Sequence, residues 1–226
     1  MSCLTTREIV TRLRRLYTPA VSDTLDEMGI TSNVLSKDIR PLSHGVVLAG
    51  PAITAKAVRY AQYTRIDMPK WVKVMLQMLE SAQREQVFVV DTGGSTDIAA
   101  WGELMSNAAR ARGAAGAVID GAVRDTPKIL SLKPPFHVFA ASRSPLDAKG
   151  REEYIEFNTP VTCGGVHVNP GDFVLADDDG VVAVPKEKIS EVLKTAETRA
   201  KKESGFRQAV RRGERVSQVF KRYGVF

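Results

Sequence analysis

Cysteine, histidine and long apolar runs are all scarce in this chain. Two cysteines, Cys3 and Cys163, occur in 226 residues. They match no metal-ligand spacing and no disulfide framework, so reduced thiols and a cytoplasmic location are expected. The three histidines, His44, His137 and His167, lack ligand spacing and are read as structural. Aromatic residues make up 7 % of the chain, which leaves few platforms for stacking nucleobases. No apolar run approaches the ~20 residues that cross a bilayer. The N-terminal MSCLTTREIVTRLRRLYTPAVSDTLDEMG is basic but has no apolar stretch with a cleavage site, so it is not read as a secretory signal. Neither GxGxxG nor a Walker lysine is present, and Gly93-Gly94 alone is a weak phosphate cue.

What is present is an ordinary globular composition with 43 % apolar and 26 % charged residues, enough for one sizeable core. The net charge of +6 raises a nucleic-acid reading, but the charge is local. Residues 186–222 hold twelve Lys/Arg against five Asp/Glu, while the rest holds 20 against 21. A charged helix without interleaved aromatics is better read as a solvated face or as packing on a neighbouring subunit. No nucleic-acid or membrane partner is expected.

Periodicity predicts two short helices in the first thirty residues, the second opening with a cap and proline at TPAV and closing at Gly29. GVVLAGPAITAKAVRYA reads as two strands broken at Gly50-Pro51, and MPKWVKVMLQMLESAQ as an amphipathic helix. QVFVVD, GAVID and HVFAAS read as buried strands. A turn at Gly93-Gly94-Ser95 leads into a helix from about 97 to 112, and a further helix begins in GAVRDTPKILSL. VTCGGVHVNPGDFVLADDDGVVAVP alternates strands and tight turns, and the tail is helical. These elements predict an α/β fold in a single domain, 1–226, with a central mixed sheet and flanking helices.

The segment WGELMSNAARARGAAGAVIDGAVRD carries the chemistry. Glu103 and Arg124-Asp125 are separated by twenty residues, at the ends of elements that would pack together. Arg124 offers a planar fork for a carboxylate. Asp125 offers a hard oxygen ligand, and Mg²⁺ takes only one or two protein carboxylates. Glu103 could bind a cation or orient its water. Backbone N–H groups around Trp101-Gly102-Glu103-Leu104 could cradle an anion. Blander alternatives stay open: an exposed Arg-Asp pair is commonly worth about 0–1 kcal/mol, Asp120-Gly121 is a turn signal, and Lys56 is a remote Schiff-base candidate.

That same segment resembles the signature of the RraA-like, class II pyruvate aldolase family. YTPAVSDTLDEMG, GPAITAKAV, NPGDFVLADDDGVVAVP and the charged tail extend the likeness over nearly the whole chain. Glu103 stands where the family usually has Asp, and the loop before QVFVVD lacks the usual Pro-Gly-Asp turn. The resemblance implies a compact swivelling-domain fold assembled as homotrimers or homohexamers, with the C-terminal helix (about 186–222) packed on a neighbouring subunit. It implies an enzyme that cleaves a 4-hydroxy-2-oxo acid to pyruvate with Mg²⁺ or Mn²⁺, with oxaloacetate decarboxylation as a side activity. By likeness, Asp125 would be the metal ligand, Arg124 would hold substrate and enolate, and Glu103 would act through water on the metal. Gly102, Leu104 and Met105 would receive the pyruvate carboxylate. Glu203 from a neighbouring subunit would complete the metal site, with Glu197 as the alternative. The same family contains a non-catalytic regulator that inhibits an RNA-degrading endonuclease, and that branch lacks the aspartate found here as Asp125. A methyltransferase reading has no glycine-rich methyl-donor motif to support it.

Overall fold

The run QVFVVD opens the longest strand of the protein, in a computed structural model that describes residues 4–225. Cys3 lies outside the described residues; Cys163 is free and buried. In chain order the elements are α1 (Thr6–Leu13), α2 (Thr18–Glu27), β1 (Arg40–Pro41), β2 (Leu48–Arg59), α3 (Met68–Trp71), α4 (Lys73–Ser81), β3 (Val87–Trp101), α5 (Glu103–Ala111), β4 (Gly116–Val123), α6 (Thr126–Leu130), β5 (His137–Arg143), β6 (Glu152–Phe157), β7 (Val161–Cys163), β8 (Val166–Val168), β9 (Phe173–Asp177), β10 (Gly180–Val184), α7 (Ile189–Arg211) and α8 (Val216–Tyr223).

The eight-stranded sheet runs β1-β5-β4-β3-β2-β9-β10, with β6 also on β2. Strands β2, β3, β4 and β5 pair in parallel, while β1, β6, β9 and β10 add antiparallel. The mixed α/β expectation therefore holds. One cluster of buried side chains lies under α4, α5 and α6 and contains Phe88, Trp101 and Ile119. A second lies under the β7–β8 hairpin, and a third joins α1, α2 and α7 to β9 and β10.

Three local expectations need correction. Gly50-Pro51 does not break the strand, because β2 runs unbroken from Leu48 to Arg59. Gly50 is there for close approach: a Cβ would collide with the Glu85 carbonyl oxygen. Pro51 sits where β2 leaves β9 and takes up β3, a point where a missing N–H is tolerated. The helix expected from about 97 starts only at Glu103, since the chain stays extended to Trp101. Gly93 and Gly94, both at positive φ, form a bulge inside β3 where the register with β4 shifts. Asp120-Gly121 belongs to β4 and not to a turn; a Cβ on Gly121 would strike Thr92 Oγ1.

The caps also differ. Thr18 does not cap α2 by its own side chain; its N–H and hydroxyl donate to Asp177 at 2.8 and 2.6 Å. Gly29 follows α2 at φ +77° as expected. The first half of α7 buries Ile189, Val192, Leu193 and Ala196 within its own chain.

Candidate active site

Trp101 anchors the floor of the site. Its indole is buried between Phe88 and Phe136, at ring-centroid distances of 5.2 and 6.3 Å. Its Nε1–H donates to Ser106 Oγ at 2.8 Å, and the Ser106 hydroxyl donates to the Gly102 carbonyl at 3.0 Å. The β3–α5 junction is thereby fixed. Gly102 is the extended N-cap of α5, so the first-turn N–H groups of Leu104 and Met105 have no intrahelical acceptor.

β4 delivers the other half. The Arg124 N–H donates to the Trp101 carbonyl at 2.9 Å, which brings the end of β4 against the start of α5. Asp125 then turns left-handed, at φ 57° and ψ 28°, as the N-cap of α6. Its side chain makes no capping bond there. It is directed at Gly102 instead: the Glu103 N–H meets Asp125 Oδ2 at 3.4 Å. A Cβ on Gly102 would lie 2.9 Å from that oxygen and 3.3 Å from Arg124 Cγ. Arg124 Nε stands 3.7 Å from Asp125 Oδ2, and its Nη1 3.2 Å from Asp147 Oδ2.

Gly102, Leu104, Met105, Arg124 and Asp125 line one cleft of about 290 Å³. Its outer wall is apolar, from Met68, Trp71, Val72 and Met75 of α3, α4 and their junction. The Glu103 carboxylate does not line it; it accepts a hydrogen bond from the Asn107 amide one turn along α5. Glu203 lines a separate cleft beside Tyr17 and Asp23, with Oε1 3.4 Å from Arg199 Nε. Glu197 is committed to Arg12, which donates to both its oxygens at 2.6 and 2.8 Å. Among the described residues no three His, Cys, Asp or Glu side chains of one chain are placed to share a metal ion. Lys56 lies in register with Asp91 on β2 and does not line the cleft.

Two acidic groups have structural roles. Asp91 and Asp120, register partners on β3 and β4, accept N–H bonds from Thr162 at 3.3 Å and Gly164 at 2.9 Å, tying the β7–β8 hairpin down. Burial raises the Asp120 carboxyl above its usual range, against the Gly164 bond and together with the Asp91 charge.

Sequence reasoning passed over Asp147, Lys149 and Glu152, which also line the cleft. Glu152 is 1 % exposed, and neither carboxyl oxygen has a hydrogen-bond partner. Burial pushes its pKa up to about 7; the Ser95 hydroxyl beside it and Arg59 offset only part of this, and Asp97 adds to it. A period-two reading of EEYIEF could have found it, since Glu152 and Tyr154 fall on one face.

Known proteins share this sequence and fold. Residues 18–183 match the family model RraA-like, described as Aldolase/RraA. A protein of Halalkalibacterium halodurans named "Putative 4-hydroxy-4-methyl-2-oxoglutarate aldolase" is 31 % identical over 84 % of this chain and 82 % of its own length. Protein DlpA of Legionella pneumophila is 30 % identical over 90 % of the chain, which spans only 32 % of that protein. The crystal structure of Streptomyces coelicolor RraAS2, described as an unusual member of the RNase ES inhibitor RraA protein family, superposes with a TM-score of 0.80. It is 29 % identical, covering 89 % of this chain and 97 % of that one. No helix among the described residues is long and apolar enough to cross a membrane. With the match running from α2 through β10 and enclosing the whole Gly102–Asp125 segment, the chain belongs to the RraA-like family.

Proposed function

We propose that the protein is a divalent-metal-dependent lyase that cleaves a 4-hydroxy-2-oxo acid to pyruvate and a second oxo compound. The observation that carries this reading is the Arg124-Asp125 pair facing the open N-terminus of α5 across one cleft. The carboxylate of the substrate sits against the Leu104 and Met105 N–H groups, where the helix end favours an anion. Arg124 holds the 2-oxo oxygen and the negative charge that develops there. Asp147 keeps the guanidinium turned into the cleft.

Asp125 suits a sparsely held cation. Its carboxylate is half-exposed, is not used as a helix cap, and has room only because Gly102 lacks a Cβ. Mg²⁺ or Mn²⁺ would be held by Asp125 and by Glu103 once released from Asn107. In a homotrimer or homohexamer, Glu203 of the next copy would complete the set. Such an ion supplies Lewis-acid stabilisation of an enolate. Oxaloacetate decarboxylation produces the same pyruvate enolate and is the expected side activity.

The relative named as an aldolase supports the enzyme reading. The likeness to RraAS2 favours a second one, a non-catalytic inhibitor of an RNA-degrading endonuclease. Chelation decides between them. EDTA should abolish pyruvate release from 4-hydroxy-4-methyl-2-oxoglutarate, and Mg²⁺ or Mn²⁺ should restore it. Full turnover after chelation, or borohydride trapping at a lysine, would exclude the metal mechanism. Absent turnover together with inhibition of the endonuclease would establish the regulator.

A further inference from the structure

A 4-hydroxy-2-oxo acid has two halves, and the groups on the cleft that suit pyruvate leave its walls to receive whatever C4 carries. The outer wall is Met68, Trp71, Val72 and Met75, and its donors are spent elsewhere. The Trp71 indole N–H donates to the Glu152 backbone carbonyl at 2.9 Å, which also holds the ring in place. The backbone N–H groups of Trp71 and Val72 donate to the Asp67 and Met68 carbonyls at 2.9 and 3.1 Å. On β3, Ala99 and Ala100 continue the apolar lining with little bulk to fill the space. At the start of α5, Leu104 also lines the cleft and is 77 % exposed, so it has apolar surface to lose to a ligand.

Charge points the same way. The acidic lining residues are Asp125, Asp147, Glu152 and Glu153, against Arg124 and Lys149 as the basic ones. Arg124 already faces Asp125 at 3.7 Å and Asp147 at 3.2 Å. Lys149 is exposed, where an ion pair gains little. A second carboxylate on the substrate would therefore lose water against hydrocarbon and meet like charges. We propose that the substrate carries an alkyl or aryl group at C4 in place of a second carboxylate, and that Met68, Trp71, Val72 and Met75 select it. The second product is then a hydrophobic aldehyde or ketone. This inference rests on the lyase reading and narrows its substrate class.

The test compares pyruvate release by the Mg²⁺-loaded protein from 4-hydroxy-2-oxopentanoate, 4-hydroxy-2-oxooctanoate and 4-hydroxy-2-oxoglutarate. Each buried methylene is worth roughly fourfold, so kcat/KM for the octanoate should exceed that for the pentanoate on the order of 50-fold. It should exceed that for the glutarate at least about tenfold. Met68 is 42 % exposed, so Met68→Lys should fold and should lower the octanoate-to-glutarate ratio about tenfold or more. Trp71→Ala should lower the octanoate-to-pentanoate ratio. Each ratio is taken within one preparation, which removes differences in folded fraction. A wild-type preference for the glutarate would overturn the proposal, as would unchanged ratios in both variants. Variants that alter the oligomer mass and keep the ratios would give the wall to a neighbouring copy, and would overturn it too. Exchange of pyruvate methyl protons in D₂O involves no C4 group and separates the two readings. A wild-type protein that exchanges them but favours the glutarate overturns this proposal alone. One that neither exchanges them nor releases pyruvate from any of the three overturns the lyase reading, and this proposal with it.

Discussion

Asp125 and Glu152 both hold unfavourable states in this fold. Asp125 adopts a left-handed backbone with a side chain that a helix start would ordinarily use, at a cost of about 1–2 kcal/mol. Glu152 buries a carboxyl, and its effect on stability has a definite sign. Below its ordinary value of 4.5 the group is protonated in both folded and unfolded chains and contributes nothing. Between 4.5 and about 7 the unfolded chain releases the proton while the folded one keeps it, so stability falls as pH rises. Above that window the cost is constant, at most about 3 kcal/mol. Glu152→Gln should therefore gain stability over the wild type by up to that amount between about pH 4.5 and about pH 8. Urea unfolding at the two pH values measures it; a pH-independent difference would place the carboxyl in a polar setting. Asp125 was legible in the sequence because its type and spacing matched a signature. Glu152 was not, because its significance depends on which face of β6 turns inward, and the strand itself was not foreseen.

Among the elements, the β3–α5 junction decides whether the site exists. The stretch STDIAAW contains small residues that a helix accepts, and local propensity favoured an early helix start. Non-local pairing overrides it: Ser95, Ala99 and Trp101 pair with β4, and the Ala99 N–H reaches the Leu146 carbonyl at 2.9 Å. Continuing the strand to Trp101 delays α5, so that its N-terminus opens on Asp125 and not four to six residues earlier. Ser106 holds the arrangement by bonding Trp101 and Gly102 at once. Ser106→Ala leaves the buried indole N–H without an acceptor and should cost about 1–3 kcal/mol. Turnover should fall as well, because Gly102 loses its tether beside Asp125. Denaturant midpoints and steady-state rates on the same preparation test both, and an unchanged midpoint would mean the indole N–H has found another acceptor. The parallel strands, by contrast, were plain from their continuous apolar runs, which only a sheet covered on both faces requires.

Across the whole molecule, the charge excess of the tail lies on α7 and α8, whose inner face is partly closed by their own chain. Arg12 clamps Glu197, and Arg199 meets Asp23 at 2.7 Å, so the first half of α7 is bound to α1 and α2. Glu203 stands further along that helix, in a different cleft from Asp125. If the proposed ligand set is right, the two carboxylates meet only across a subunit boundary, in a closed ring of copies. That arrangement predicts complementation. Asp125→Ala and Glu203→Ala should each lack pyruvate release while keeping the fold. Mixed and allowed to exchange subunits, they should regain activity, because some boundaries pair an intact Asp125 with an intact Glu203. For random exchange in a ring, about a quarter of boundaries are restored. Recovery in the mixture would establish a shared site. No recovery, with exchange verified by mass, would confine the ligands to one chain and remove Glu203 from the set.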